Sequence, residues 1–292
     1  MGHNHSHNHI SGKNIGITIF LNLLISILQL IGGIISGSIS LLSDATHNFS
    51  DVLSLLLSYF THRLSHKPKN DRYTFGYNRA EILSALFNSF TLIAIAVLLI
   101  IEGSKRSIHP TSIKPDIVIY FALASIVINV LSVLLLHRDA KHSLNIKSSY
   151  LHLLTDVLTS VAVMLGGIIM KYTNFYLIDS ILSILIAIYL MWSSSQIIKE
   201  TVHILMQRTP QDINLQAIKE EILSIKDVRN LDNIHLWQLN ENEIYFEAQI
   251  LIDKYKSVED FNTIALKVNH ILVKQGIINI SLMPISEKHE II

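Results

Sequence analysis

Residues 41–57 read LLSDATHNFSDVLSLLL, in which Asp44, His47 and Asp51 interrupt a run apolar enough to cross a bilayer. An ionisable side chain inside a membrane is costly unless it is paired, hydrated or bound to an ion, and it marks a functional site by default. The stretch therefore predicts a membrane helix whose polar residues carry the function.

The composition favours a membrane protein. Half of the 292 residues are hydrophobic, only 16% are charged, and the mean hydropathy is +0.41, which is unusual for a soluble globular chain. The 23 basic and 23 acidic residues balance, and no long basic block is present, so nucleic acid is not an expected partner. The chain has no Cys and 15 His, so a metal site would use His, Asp, Glu or backbone oxygen.

The first residues, MGHNHSHNH, contain the alternating histidines His3, His5, His7 and His9. They lack the basic segment followed by an apolar core that is typical of a signal peptide. An expression tag would look similar, but the interleaved Asn and Ser favour a native segment, residues 1–12, that gathers divalent metal ions. We expect this segment to be a His-rich cytoplasmic tail, with its four histidines as weak metal ligands.

Six apolar segments are long enough to cross a hydrocarbon core of about 30 Å. They lie at about 15–35, 39–61, 80–102, 115–137, 148–170 and 176–199. Lys and Arg concentrate between the second and third segments and between the fourth and fifth, which predicts that these loops and both termini are cytoplasmic. Residues 13–206 are therefore predicted to form a six-helix, multi-pass domain in the cell membrane.

Residues 207–292 show the periodicities of a soluble domain. INLQAIKEEILSI and VEDFNTIALKVNHILVKQG space their apolar residues for one helical face, whereas EIYFEAQILI and IINISLM alternate as strands do. With a further strand around NIHLWQL, the predicted order is helix, strand, strand, helix, strand. Helices covering one face of a small sheet are the economical packing for this order, an α+β domain.

Two matched pairs of ligand residues stand out in the membrane part. His47 and Asp51 are four residues apart, as are His152 and Asp156 in the fifth segment, and this spacing places each pair on one helical face. Two imidazoles and two carboxylates from facing helices suit tetrahedral Zn²⁺ and neutralise its charge. One such pair alone would be weak evidence, since polar side chains also bond between membrane helices; two pairs favour a functional site.

Other polar residues of the membrane segments have competing interpretations. Asp44 is a candidate for a carboxylate outside the ligand set that orients the imidazole of His47, or for a cap of the second helix. Asp179 is expected to be structural, at a helix N-terminus. Gln29 and Asn22 suit bonds between helices or a water-filled path, and the glycine clusters suit close helix packing.

The quoted motifs carry a family resemblance. GSISLLSDATHNFSDVLSLL, FGYNRAEILSALFN, YLHLLTDVLTSV and the segment from 177 to 210 resemble the cation diffusion facilitator family, in particular its bacterial zinc, cobalt and cadmium resistance branch. The resemblance covers essentially the whole chain. It implies a homodimeric metal/proton antiporter with a six-helix membrane domain and a ferredoxin-like, metallochaperone-like cytoplasmic domain, in which His47, Asp51, His152 and Asp156 bind the transported ion.

The chain departs from the family pattern at two further metal sites. Tyr73 and Tyr77 stand where some members have ligands in the loop after the second span, so we expect that site to be absent. In the cytoplasmic domain His235 is present, but Gln249 and Ser281 occupy the matching strands. His235 is therefore a weak candidate for a metal ligand, and so are His203, His270 and His289.

A mechanism follows from the ligand chemistry. Imidazole and carboxylate bind protons as well as metal, with unperturbed pKa values of about 6.5 and about 4, so Zn²⁺ and protons compete for one site. We expect Zn²⁺ as a transported substrate, Cd²⁺ or Co²⁺ as alternatives, and no cofactor. The alternative functions are a membrane-anchored metal sensor and a membrane metalloenzyme, and the second lacks an HExxH motif and an open ligand position.

Overall fold

The computed structural model describes residues 12–65, 67–136, 144–240, 243–252 and 257–285. The His-rich tail and His289 lie outside these residues. The first part of the described chain forms six long helices: α1 (Gly12–Ser36), α2 (Ile39–Ser65), α3 (Ala80–Ile108), α4 (Pro115–Leu136), α5 (Leu144–Thr173) and α6 (Leu177–Leu205). Each predicted apolar segment thus corresponds to one helix.

Five of these helices are long and apolar enough to cross a membrane. Among the described residues the candidate spans are Ile17–Ser36, Ala80–Ile108, Pro115–Leu135, His152–Thr173 and Leu177–Leu205. Helix α2 has 27 residues, which is sufficient length, but Asp, His, Asn, Ser and Thr lower its hydropathy. The polar residues of α2, which include the candidate metal ligands, thus lower its hydropathy below that of the five candidate spans. The sixth membrane span stays a prediction.

Glycine allows the helices to approach closely. A Cβ atom on Gly32 of α1 would lie 2.5 Å from the ring of Phe121 on α4, and one on Gly166 of α5 would lie even closer to a methyl carbon of Leu182 on α6. Both distances are shorter than real Cβ contacts, so these positions admit only glycine without a shift. The prediction that the glycine clusters serve helix packing is confirmed at these two positions.

The second part of the described chain is a small α+β unit. Its elements are α7 (Leu215–Leu223), β1 (Val228–Gln238), β2 (Ile244–Ile252), α8 (Val258–Lys274) and β3 (Asn279–Ile285). The sheet order is β1-β2-β3, with β1 antiparallel and β3 parallel to β2. The element order agrees with the sequence prediction.

One face of this sheet packs against both helices. Phe246, Ala248, Ile250 and Ile252 alternate into the core from β2 and meet buried residues of α7 and α8. The side chain of Ser257 caps α8 in a capping box with Asp260. Because side chains alternate along a strand, the residues between these buried ones lie on the opposite face of the sheet.

The described residues divide into two compact units. One unit comprises the helices up to Tyr59 together with Phe87–Ile197, and the other comprises Phe60–Leu86 with the residues from Ile198 onward. The predicted boundary at residue 207 is a different kind of division, because it separates membrane from soluble sequence, and it stays a prediction.

Candidate metal site

The two imidazole–carboxylate pairs lie together inside the first unit. His47 and Asp51 come from α2, and His152 and Asp156 come from α5. Each of the four offers one ligand atom, and these atoms all lie within 4.8 Å of one another. Within each helix, the i, i+4 spacing places the imidazole and the carboxylate one above the other on the same side.

The pairs also interdigitate between the two helices. Nε2 of His47 lies 3.3 Å from Oδ1 of Asp156, and Nε2 of His152 lies 3.0 Å from Oδ2 of Asp51. The two imidazole rings have centroids 5.5 Å apart and are nearly perpendicular. Each imidazole therefore faces a carboxylate of the opposite helix, which leaves nitrogen and oxygen atoms converging on one point.

Burial divides the four residues into an inner and an outer half. The side chains of His47 and Asp156 are 7% and 1% exposed, whereas those of Asp51 and His152 are 24% and 42% exposed. Asp51 lies one turn further from the α1–α2 turn than His47, and His152 likewise lies one turn further from the α5–α6 turn than Asp156. The half of the cluster nearer these two turns is thus the buried half, and the half further from them is the more exposed.

The inner half has unused bonding capacity. Within the described part of the chain, neither ring nitrogen of His47 and neither carboxylate oxygen of Asp156 makes a hydrogen bond of normal geometry, although all four atoms are buried. Buried polar groups are nearly always partnered. Nitrogen and oxygen atoms left open at the same point suit a cation that binds to both.

Asp44 belongs to a polar network beside the cluster. It is fully buried and accepts hydrogen bonds from the amide of Gln29, from the Ser160 hydroxyl at 2.9 Å and from the Thr159 hydroxyl at 3.1 Å. Its described partners are therefore on α1 and α5 and do not include the imidazole of His47. Asp44 also lies inside α2, past the capping positions.

This network extends to a fourth helix, and it also reaches the backbone carbonyl of Asp156. The Gln29 amide also donates to Ser125 of α4 at 3.0 Å, so Gln29 bonds between helices, one of the two roles considered for it. The Thr159 hydroxyl lies 3.0 Å from the backbone carbonyl of Asp156. Asp44 is thereby linked to the α5 backbone at Asp156, without a hydrogen bond to the Asp156 side chain.

Asp179 has a role that joins two helices. It lies in the first turn of α6, as predicted, but its carboxylate accepts hydrogen bonds from Ser38, Ile39 and Ser40 at the start of α2. It thus caps α2 from outside that helix.

Sequence reasoning overlooked Tyr189. Its ring on α6 lies 6.2 Å from the imidazole of His47, nearly perpendicular to it. A single tyrosine in an apolar helix gives no signal in the sequence that it faces a histidine of another helix. The arrangement places a third helix against the inner half of the cluster.

The weaker candidates that the structure describes do not form a ligand cluster. His235 is exposed on β1 and lines an open cavity of about 280 Å³ on the free face of the sheet. The amide of Gln249 contacts the sulfur of Met283 there at 3.8 Å. Among the described residues, the only group of three or more potential ligands that converge is the cluster on α2 and α5.

The remaining described candidates lie outside α2 and α5. The guanidinium of Arg208 lies 3.0 Å from Nδ1 of His203. His270 is exposed on α8. The rings of Tyr73 and Tyr77 pack against each other with centroids 4.6 Å apart.

Five helices of membrane-spanning length and apolarity, together with a small α+β unit, define a multi-pass membrane protein with a soluble domain. Comparison with protein families then identifies it more closely. The family model for the cation efflux transmembrane domain matches residues 15–206, and the model for the cation efflux protein cytoplasmic domain matches residues 210–276. The chain belongs to the cation efflux, or cation diffusion facilitator, family, which confirms the resemblance. Its members are transporters, so the chain is a transporter and not an enzyme.

Curated relatives extend over nearly the same length. The chain is 30% identical over 291 residues to the cadmium, cobalt and zinc/H(+)-K(+) antiporter of Bacillus subtilis, covering 99% of this chain and 93% of that protein. It is 34% identical over 255 residues to the zinc transporter ZitB of Pectobacterium atrosepticum, covering 86% and 80%. It is 29% identical over 252 residues to the metal cation efflux system protein CzcD of Cupriavidus metallidurans, with the same coverage.

Proposed function

We propose that this chain exports Zn²⁺, and Cd²⁺ or Co²⁺ with it, in exchange for protons, and that His47, Asp51, His152 and Asp156 bind the transported ion. The observation that carries the proposal is the convergence of four ligand atoms that lie within 4.8 Å of one another, two of them on the buried residues His47 and Asp156. The buried ring nitrogens of His47 and carboxylate oxygens of Asp156 add to it, because they make no hydrogen bond of normal geometry and their desolvation is only partly compensated by their mutual contact at 3.3 Å. The names of the relatives, which include zinc, cadmium and cobalt, agree with it.

The choice of metal follows from the donor atoms. Imidazole favours borderline ions such as Zn²⁺ and Co²⁺, whereas a set of carboxylates alone would favour Mn²⁺ or Mg²⁺. Two carboxylates balance the charge of one divalent ion, so a loaded site would be neutral inside the membrane. Four protein ligands also leave no open coordination position for activating water.

Proton exchange follows from competition for the same atoms. A site that binds metal must have neutral imidazoles and ionised carboxylates, so binding releases protons and proton binding expels metal. A site that faces one side of the membrane when it carries metal and the other when it carries protons couples the two gradients. The greater exposure of Asp51 and His152 suits a state open away from the α1–α2 turn.

The topology completes the proposal. With α2 as the sixth span, the loops rich in Lys and Arg and both termini face the cytoplasm, so the open direction of the cluster would be the cytoplasmic one. The His-rich tail, residues 1–12, would collect metal there. The family of the cytoplasmic domain supports a homodimer, since its model is named for dimerisation.

The test is zinc flux in sealed proteoliposomes with an imposed pH gradient. With the intact protein, the imposed pH gradient should drive Zn²⁺ in the direction opposite to the proton flow. Asp156→Ala should abolish this flux, because it removes a proposed ligand and a titrating group. Asp116→Ala is the matched control. Asp116 is an exposed carboxylate that pairs with Lys171, and it does not belong to the cluster.

Two outcomes would count against the proposal. Equal flux in Asp156→Ala and Asp116→Ala would remove the cluster from the transport path. If the intact protein moved neither Zn²⁺, Cd²⁺ nor Co²⁺ while inserted normally, the assignment of these ions as substrates would fall.

A further inference from the structure

Asp179 is a buried carboxylate that the metal site does not use. It is fully buried, although it lies in the first turn of α6. Its Oδ2 accepts the backbone N–H of Ile39 at 2.7 Å, and its Oδ1 accepts the hydroxyls of Ser38 and Ser40 and lies 3.3 Å from the backbone nitrogen of Ser40. All of these donors belong to the start of α2, about 140 residues earlier in the chain.

The start of a helix is a natural partner for a carboxylate. The first backbone N–H groups have no partner inside the helix, and the helix dipole places partial positive charge there. Ser38 partly fills the local need, since its oxygen accepts the N–H of Leu41 at 3.1 Å. Asp179 supplies the rest from α6, so the first turn of α2 is fixed to a different helix.

Neighbouring contacts reinforce this junction. The guanidinium of Arg106 on α3 donates to the carbonyl of Gly37, and the hydroxyls of Ser43 and Ser183 lie 2.9 Å apart one turn further along α2 and α6. Gly37 has a φ of +75°, which lets the chain turn sharply between α1 and α2. The beginning of α2 is thus held by both α3 and α6.

We propose that Asp179 is a positioning residue of the transport cycle, a latch between α6 and the first turn of α2 that keeps the metal site closed toward the α1–α2 turn. The inference rests on the proposed alternating access. The two ligand residues on the closed side, His47 and Asp156, are the buried ones, and His47 lies two turns beyond Ser40 on the same helix. Opening the site on this side would require the first turn of α2 to leave α6, and so would break the bonds to Asp179.

The substitution Asp179→Asn weakens the latch with little change of shape. Backbone N–H groups point at both oxygens, so the amide group of Asn must face a donor in either orientation. Hydrogen bonds to a charged acceptor contribute more than neutral ones, so we expect the open state to become about tenfold more populated, equivalent to about 1.4 kcal/mol.

The absence of cysteine from the chain gives a direct measurement. Ser43→Cys places a single thiol just inside the latch, at a fully buried position. The rate at which a water-soluble methanethiosulfonate reagent labels this thiol in nanodiscs reports opening. We expect slow labelling in the Ser43→Cys protein and labelling about tenfold faster when Asp179→Asn is added.

The control is Asp116→Asn in the same Ser43→Cys background. Asp116 is an exposed carboxylate in the first turn of α4, so it undergoes the same chemical change outside the latch, and the labelling rate should not change. Zinc binding, measured in parallel, should survive in both variants, because Asp179 contacts none of the four proposed ligands.

Unchanged labelling in Asp179→Asn with zinc binding retained would overturn the latch. If Asp179→Asn lost zinc binding through misfolding, Ser40→Ala would take its place, since it removes one donor and leaves the carboxylate; labelling no faster than in the Asp116→Asn control would then overturn the proposal. Labelling does not depend on transport, so a failure of zinc flux would refute the proposed substrate while leaving the latch result readable.

Discussion

Replacing Asp156 by Asn should remove high-affinity zinc binding. The substitution keeps the shape of a side chain that is 1% exposed, and it removes the negative charge from oxygens that lie 3.3 Å and 4.0 Å from the nearest nitrogens of His47 and His152. Replacing even a residue that only supports a ligand costs about 10–100-fold in metal affinity. Loss of a direct ligand should therefore cost more than about 100-fold, or about 2.8 kcal/mol.

The assay is competition for zinc with a fluorescent chelator at pH 7, using the full chain in detergent. The His-rich tail and His235 are present in every variant, so the quantity to follow is the loss of one tight equivalent per chain. Asp116→Asn should keep that equivalent. Asp44→Asn should weaken it by at most about tenfold, because Asp44 reaches the ligands only through Thr159 and the backbone of Asp156.

Two outcomes would contradict the expected role of Asp156. If Asp156→Asn kept the tight equivalent with the affinity of Asp116→Asn, the convergence of the four residues would be a feature of helix packing. A loss of the equivalent in all three variants would instead indicate that the assay reads protein stability.

Three further predictions concern other parts of the molecule. Phe246→Ala should destabilise the α+β unit by about 3–5 kcal/mol, because Phe246 is 1% exposed in its core; urea unfolding followed by tryptophan fluorescence measures this. Burial and the neighbouring Glu243 raise the pKa of Tyr245, so its contribution to stability is present below pH 10 and is lost as the pH rises through the raised value; absorbance titration at alkaline pH should show Glu243→Gln lowering that pKa. Gly32→Ala should lower the thermal midpoint despite alanine's better helix propensity, because the new Cβ meets the Phe121 ring at 2.5 Å.

Local spacing was enough to predict the main elements and the two imidazole–carboxylate pairs. His47 with Asp51, and His152 with Asp156, are related by helical periodicity, and the five elements of the α+β unit follow from periods of 3.6 and 2. These features depend on residues close together in the chain. For the same reason, the placement of all four side chains in one cluster could be expected only after assuming that the second and fifth helices face each other.

Contacts between distant segments were beyond the sequence. Asp179 was expected to interact with its own helix, but its carboxylate binds the start of α2. Asp44 was considered as a partner of His47, and its described bonds come from Gln29, Thr159 and Ser160. A carboxylate accepts equally well from a hydroxyl, an amide or a backbone N–H, so its residue type does not specify which donor the fold will bring to it.

The three buried aspartates of the helical unit separate structural carboxylates from a carboxylate available to a cation. Asp44 and Asp179 each accept several hydrogen bonds from neighbouring helices, which compensates their loss of water. Asp156 is just as buried, but its oxygens have no partner of normal hydrogen-bond geometry in the described part of the chain, and they face unpartnered nitrogens of His47. Since burying a carboxylate that has imidazole contacts but no hydrogen bond of normal geometry is costly, a partner that arrives and leaves is the economical explanation, and both a divalent cation and a proton meet that requirement.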